Sequence, residues 1–177
     1  MQTTQTLPAD HALLARDIAV QNLRAEHPVT RRVIEAIPPD KGTYSPDAVT
    51  KSAVDLAWHI VAAEHRFLNA VVAGAFDFSN TGRPAELATS TDIARWYGGV
   101  FDEDMRQIAA LSAEELSKPI DFRSIVTLPA VSFLLVGLKH SIHHRGQLSM
   151  YLRPMGAKVP SIYGESYDSA LAKKALA

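Results

Sequence analysis

Three histidines stand within five positions of the stretch LKHSIHHRGQLSMYL, at His140, His143 and His144. On a helix, residues three and four apart share a face, so His140 and His144 stack one turn apart. A wheel at roughly 100° per residue gathers Phe133, Gly137, His140, His144, Leu148, Tyr151 and Met155 into a sector of roughly 80°. His143 falls outside it, about 100° from His144. Two imidazoles on one apolar face leave several nitrogens to satisfy. A divalent cation satisfies them at once, and i,i+4 is a spacing that brings two ring nitrogens to one ion. The residues between the pair are Ser141, Ile142 and His143. The catalytic glutamate of an HExxH helix is therefore missing, and the motif is not that of a zincin.

Two histidines hold a divalent ion poorly, so a third ligand is expected from another helix. The chain has 7 histidines and no cysteine, which restricts the donors to imidazole, carboxylate and carbonyl groups. Around the next histidine-bearing segment, Leu56, Ile60, Ala63, Phe67 and Ala70 form an inward stripe. His59 borders this stripe, within roughly 60° of Leu56, whereas His65 lies on the opposite side. His11, at a helix start, and His27, before Pro28 among charges, read as surface residues. His59 is thus the expected partner of His140 and His144. Three imidazoles leave a coordination position open, as in catalytic rather than structural sites. Zinc is the default expectation, with nickel the alternative carried forward among the metals that imidazole suits. Such an ion lowers the pKa of a water or thiol and so supplies a nucleophile at neutral pH.

Gln147 and Tyr151 follow on the same face and are candidates to orient a ligand or to hold a substrate. Tyr151 reads equally well as core packing. Arg145 points away from this face and is read as a salt-bridge or partner-contact residue. Glu64 either pairs with a buried donor or joins a peripheral ion pair.

These residues need a bundle to bring them together, and four helical stretches are expected. The first runs from Ala12 to Ile37 with a kink or restart at Pro28, and stops at Pro38-Pro39. The second opens at a capping box, Ser52-Ala53-Val54-Asp55, and runs to Ala73. A long crossover loop from Gly74 to Ser90 follows, then a third helix from Thr91 to Leu111 and a capped turn at Ser112. KPIDFRSIVTLP reads as a hairpin or extended strap. The fourth helix is expected to begin near Pro129 and to end before Pro154. VPSIYGESYDS is expected as an ordered C-terminal segment packing back through Val159, Ile162 and Tyr163.

A length of 177 residues suits a single domain spanning 1–177. Lys+Arg number 18 against Asp+Glu 19, so no basic field exists for nucleic acid. MQTTQTLPADHALLARD lacks the regions of a secretory signal, and VTLPAVSFLLVGL is too short to span a bilayer. A soluble, cytoplasmic protein with no membrane partner is expected. Val54, Trp58, Val61, Leu68 and Val72 form a second apolar stripe on the second helix, which predicts a homodimer contact through Trp58 and Val61. The alternative cover for that stripe is the 74–90 loop.

The run HSIHHRGQLSMYLRPMG resembles the fourth helix of the DinB/YfiT-like family. EAIPPDKGTYSP with AVDLAWHIVAAEHRFL is similar to the family's loop and second helix, and VPSIYGESYD to its C-terminal segment. The resemblance implies an all-α four-helix bundle of up-down-down-up type, usually homodimeric, with a divalent metal held by three histidines. The matching positions are His59, His140 and His144. It further implies a thiol-dependent S-transferase using a low-molecular-weight thiol such as bacillithiol or mycothiol, while the open three-histidine site itself allows a metal-dependent transferase or hydrolase of small molecules. The family also includes a maleylpyruvate isomerase branch. The alternative is a non-enzymatic metal-binding or stress-responsive module.

Overall fold

The structure, a computed structural model, describes residues 7–176. Four long helices dominate it: α1 (Ala9–Glu35), α2 (Ala53–Ala73), α3 (Ser90–Ala110) and α5 (Ser132–Leu152). Between α3 and α5 lie a short helix α4 (Ala113–Ser117) and a hairpin of β1 (Pro119–Phe122) and β2 (Val126–Pro129). A last helix, α6 (Tyr167–Ala175), closes the chain.

Local chemistry sets the helix starts. The Ser52 hydroxyl accepts from the Asp55 N–H, and Thr89 with Asp92 and Ser112 with Glu115 form complete capping boxes. Carbonyls of the preceding loop add to the α2 start, with Tyr44 accepting from the Ala53 N–H and Gly42 from the Val54 N–H. At its far end α2 stops on Gly74, whose φ of 72° is a left-handed cap that glycine adopts without a Cβ penalty.

Side-chain contacts give the direction of each helix. Arg16 donates to the carbonyl of Leu111 while Arg31 lies against Gly98, so α1 and α3 are antiparallel. Trp58 meets Trp96 and His65 meets Asp104, so α2 and α3 run parallel, which the long 74–89 connection permits. His59 meets His144 while Phe67 meets Phe133, making α2 and α5 antiparallel. The order is up-down-down-up, with α1 and α2 on one diagonal and α3 and α5 on the other. Leu23, Ile34, Ile60, Leu68, Ile93, Met105, Phe133 and Leu148 fill the centre.

Gly137 lets α5 close on α2. A methyl group there would stand 2.8 Å from Cβ of Phe67, shorter than carbon atoms approach without a bond. The two helices therefore meet more closely at this level than any residue with a side chain would allow.

Several expectations change. Pro28 does not restart α1, which is one helix of 27 residues running through it. Pro28 and Arg24 are both exposed, so the carbonyl left without a proline N–H lies on the solvent side. Pro129 does not open α5. It ends β2 opposite Pro119, where the fixed φ of proline is also at home, and the helix begins at Ser132. The second stripe of α2 faces α3 at Trp58, which meets Trp96, and Trp58 also shares a cavity wall with Thr81 and Arg83 of the 74–90 loop. Val61 is fully buried inside the chain, so it cannot contribute to the predicted dimer contact, while Trp58 is half-buried and packs on Trp96 at 5.0 Å. In the C-terminal segment Val159 and Ile162 pack on the core, but Tyr163 is 70% exposed, and α6 was not foreseen. No described helix is long and apolar enough to cross a membrane.

Candidate metal centre

α2 and α5 carry the site between them. His59 on α2 faces His140 and His144 on α5, and one ring nitrogen from each lies within 4.8 Å of the others. Ring centroids are 4.9 Å apart for His59 and His140, 4.5 Å for His59 and His144, and 4.4 Å for His140 and His144. All three are half-buried. His143 is exposed and outside the group, as is His11.

The donor chemistry fits a divalent ion. Burial, followed by the neighbouring imidazoles, lowers the pKa of His59 and His140 to about 4 each, so both rings are neutral lone-pair donors at physiological pH. Nε2 of His59 and Nε2 of His144 face each other at 3.2 Å. Nδ1 of His140 is buried with no hydrogen-bond partner among the described residues. Three imidazoles turned on one another, one with an unpaired buried nitrogen, are poorly satisfied by hydrogen bonds alone and well satisfied by a cation.

Gln147 fixes one tautomer. Its Oε1 accepts from Nδ1 of His144 at 2.7 Å, which leaves the Nε2 lone pair directed into the cluster, and its Nε2 donates to His143 at 3.2 Å. Tyr151 has no hydrogen bond or ring contact with the histidines among the described residues. It packs edge-on against Tyr44 at 5.9 Å and lines a cavity of about 500 Å³ that reaches His59 and His144. Val49, Lys51, Leu56 and Met150 also line that cavity. A second cavity, of about 180 Å³, reaches His59 and His140 from among phenylalanines, and a third, of about 510 Å³, reaches His59 past Lys51 and Arg66.

The DinB family model matches residues 4–174. The chain belongs to the DinB family. Among its relatives, YjoA of Bacillus subtilis (strain 168) is 29% identical over 140 residues, which is 77% of this chain and 88% of YjoA. The crystal structure of that DinB-like protein superposes with a TM-score of 0.69 at 26% identity, covering 83% of this chain and 99% of that one. A DinB-like protein from Bacillus cereus ATCC 10987 matches in fold with a TM-score of 0.68 at 21% identity, over 82% and 95% of the two chains. The all-α bundle is thus shared with these relatives, and the three-histidine group is compatible with a metal-binding DinB protein.

The remaining polar residues lie deeper than the sequence suggested. Glu64 is buried at the α2–α3 face, accepts from the Tyr97 hydroxyl, and has its carboxyl pKa pushed up by burial. His65 is not a solvent-facing residue but bonds Asp104 at 2.7 Å and Asn69 at 2.9 Å. Arg145 is buried between α5 and α1, donating to Glu26 at 2.6 Å, Thr30 at 3.2 Å and the Tyr163 hydroxyl at 2.7 Å. His27 is a correction: it stacks on Phe101 at 4.0 Å, and burial lowers its pKa to about 4. The charges around it and the following proline conceal that its ring turns inward. Arg66, Phe76, Phe78, Phe122 and Arg123 carry no local signal and converge only through the fold.

Proposed function

We propose that this chain is a single-domain, divalent-metal-dependent enzyme that transfers small-molecule groups to a low-molecular-weight thiol, with His59, His140 and His144 as ligands. Zinc is the first choice and nickel the second, given all-imidazole donors. The observation that carries the reading is the placement of the histidines where separate cavities meet. One cavity opens along the His144 side and another along the His140 side, so two molecules can approach one centre. That arrangement favours transfer between two substrates over hydrolysis, and an accessible trio favours catalysis over a non-enzymatic metal-binding role.

A divalent ion at these ligands would act as a Lewis acid that makes a thiol acidic enough to ionise at neutral pH. The thiol releases its proton to solvent, its sulfur bonds the electrophilic carbon, and the leaving group departs with the electron pair of the broken bond. Gln147 holds the His144 ring in its donor tautomer throughout. Lys51 places positive charge at the wall of the larger cavity, and Tyr151 contributes an aromatic wall with a hydroxyl. The assembly is inferred to be a homodimer formed elsewhere than at Trp58 and Val61. Leu14 and Ile18, one turn apart on α1, are 60% and 49% exposed and suit that role.

The experiment pairs metal analysis with conjugation of a chloro-bimane electrophile to bacillithiol, mycothiol and simpler thiols. Conjugation that is abolished by chelation and restored by zinc or nickel is expected. Metal-loaded protein inactive across the thiol panel would overturn the transferase reading, and activity on ester substrates instead would select the hydrolase.

A further inference from the structure

Phe67, Phe76, Phe78 and Phe122 gather where α2, the loop after it and the β-hairpin meet. Ring centroids lie 5.7 Å apart for Phe67 and Phe122, 5.0 Å for Phe76 and Phe122, and 5.5 Å for Phe76 and Phe78. They wall the cavity of about 180 Å³ that reaches His59 and His140. A cavity of about 150 Å³ is enough to admit benzene, so one aromatic ring fits.

Two guanidinium groups line the same cavity. Arg123 lies 4.1 Å and Arg66 5.8 Å from the centroid of the Phe78 ring. Neither has a carboxylate within ion-pair distance among the described residues. The nearby acids are engaged in turns: Asp77 accepts from the Ser79 N–H, and Asp121 from the Ser124 N–H and the Thr127 hydroxyl. The adjoining cavity of about 510 Å³ adds Lys51 and Arg83, and its one acid, Asp55, is paired with Arg83 at 3.2 Å. Arg66 is held by a bond to the Asn80 carbonyl at 3.2 Å. Like charges beside an apolar cavity repel each other, and an anion placed between them relieves that repulsion.

The backbone at Arg123 adds a second observation. Arg123 and Ser124 have φ of 53° and 56°, in the left-handed region where glycine or asparagine is comfortable and arginine is strained. A long cationic side chain is thus kept at a turn position that stability alone would give to another residue.

We propose that this cavity is the subsite for a small aromatic carboxylic acid, its ring among Phe67, Phe76 and Phe122 and its carboxylate on Arg66 and Arg123. The proposal rests on the transferase reading and names the class of its second substrate, the acceptor of the thiol. The planar forks of arginine match a carboxylate in a bidentate manner, while the ring fills space that water solvates poorly.

Calorimetric titration of the zinc-loaded full chain with 3-phenylpropanoate, 3-phenylpropanamide and propanoate tests it, repeated after metal removal to exclude direct ligation by zinc. The aromatic acid should bind roughly tenfold more tightly than either the amide or the ringless acid, with and without metal. Arg66→Gln and Arg123→Asn should each bring the acid down to the level of the amide. Arg123→Asn should also keep or raise the melting temperature, because it relieves the backbone strain. Equal binding of acid and amide, equal binding of ringed and ringless acids, or no saturable binding at millimolar concentration would each overturn the subsite. So would an affinity that both substitutions leave unchanged. Failed thiol conjugation with intact discrimination in the titration sinks the transferase reading alone, and the reverse result sinks the subsite alone.

Discussion

Helix α2 carries a histidine toward each of its two neighbours, and the two are served differently. Toward α3, His65 is bonded by Asp104 and Asn69, and the adjacent Glu64 receives the Tyr97 hydroxyl. Every polar group named there finds its complement in the chain. Toward α5, His59 meets only other imidazoles, and among the described residues no carboxylate joins the group. A histidine answered by a carboxylate within a bundle holds helices together. A cluster of histidines whose inward nitrogens meet only one another is completed best from outside the chain. Partnership, more than burial, distinguishes structural from functional imidazoles here.

The sharpest way to break this contrast is to remove rings from the unanswered group. His59→Ala, His140→Ala and His144→Ala should each weaken zinc binding by roughly a hundredfold or more, while far-ultraviolet circular dichroism stays near wild type. Full metal occupancy in any one of them would remove that residue from the ligand set. On the answered side, Asp104→Ala strands His65 and should cost about 2 kcal/mol in urea unfolding with metal content unchanged. A metal loss in that variant would show that the two sides are one network.

His27 tests whether the second class extends to α1. Its pKa is about 4 in the folded chain against the ordinary imidazole value of 6.5, lowered by burial and by Arg31 and raised in part by the Tyr97 backbone and Asp102. The unfolded chain therefore takes up more protons between those values. Stability present above pH 6.5 should fall as pH drops toward 4, by about 2 kcal/mol from this ring after allowing for its partial exposure. The His27→Phe variant should lose that part of the slope in unfolding measured across the range. Smaller again is Gln147→Ala, which frees the tautomer of His144 and should weaken zinc about tenfold in a competition assay. Smallest is His143→Ala. Its ring stands outside the group, and an affinity change beyond roughly twofold would place it among the ligands.

The histidine group was legible because helical periodicity alone decides which face a residue occupies. His140 and His144 needed only their own spacing, and His59 only its distance from Leu56. The four long helices were accessible for a related reason, since caps and periodicity are local signals, whereas their up-down-down-up order was implied only by the family resemblance. What escaped depends on contacts between distant segments. Trp58 and Val61 looked unpartnered because a stripe does not say which element will cover it. Arg145 was legible as a salt-bridge residue and Glu64 as a possible partner of a buried donor, but their depth and the partners themselves, Glu26 for one and Tyr97 for the other, lie far along the chain and leave no local signal. The α6 helix has no buried residue, and its capping box places Ser169 where a glutamate would be the stronger signal. The phenylalanine cavity joins residues from α2, a loop and a hairpin, and no period connects them.

At Gly137 the two arms of the site behave as a lever pair. Stiff rods pressed together at one point can pivot there but cannot move closer, so the contact with Phe67 is a fulcrum and the histidines, beginning one turn along α5, are the jaws. The opening of those jaws is then set by a residue with no side chain, whose close neighbour across the bundle is Phe67. An ion would be gauged for size by leverage as well as by the chemistry of its ligands.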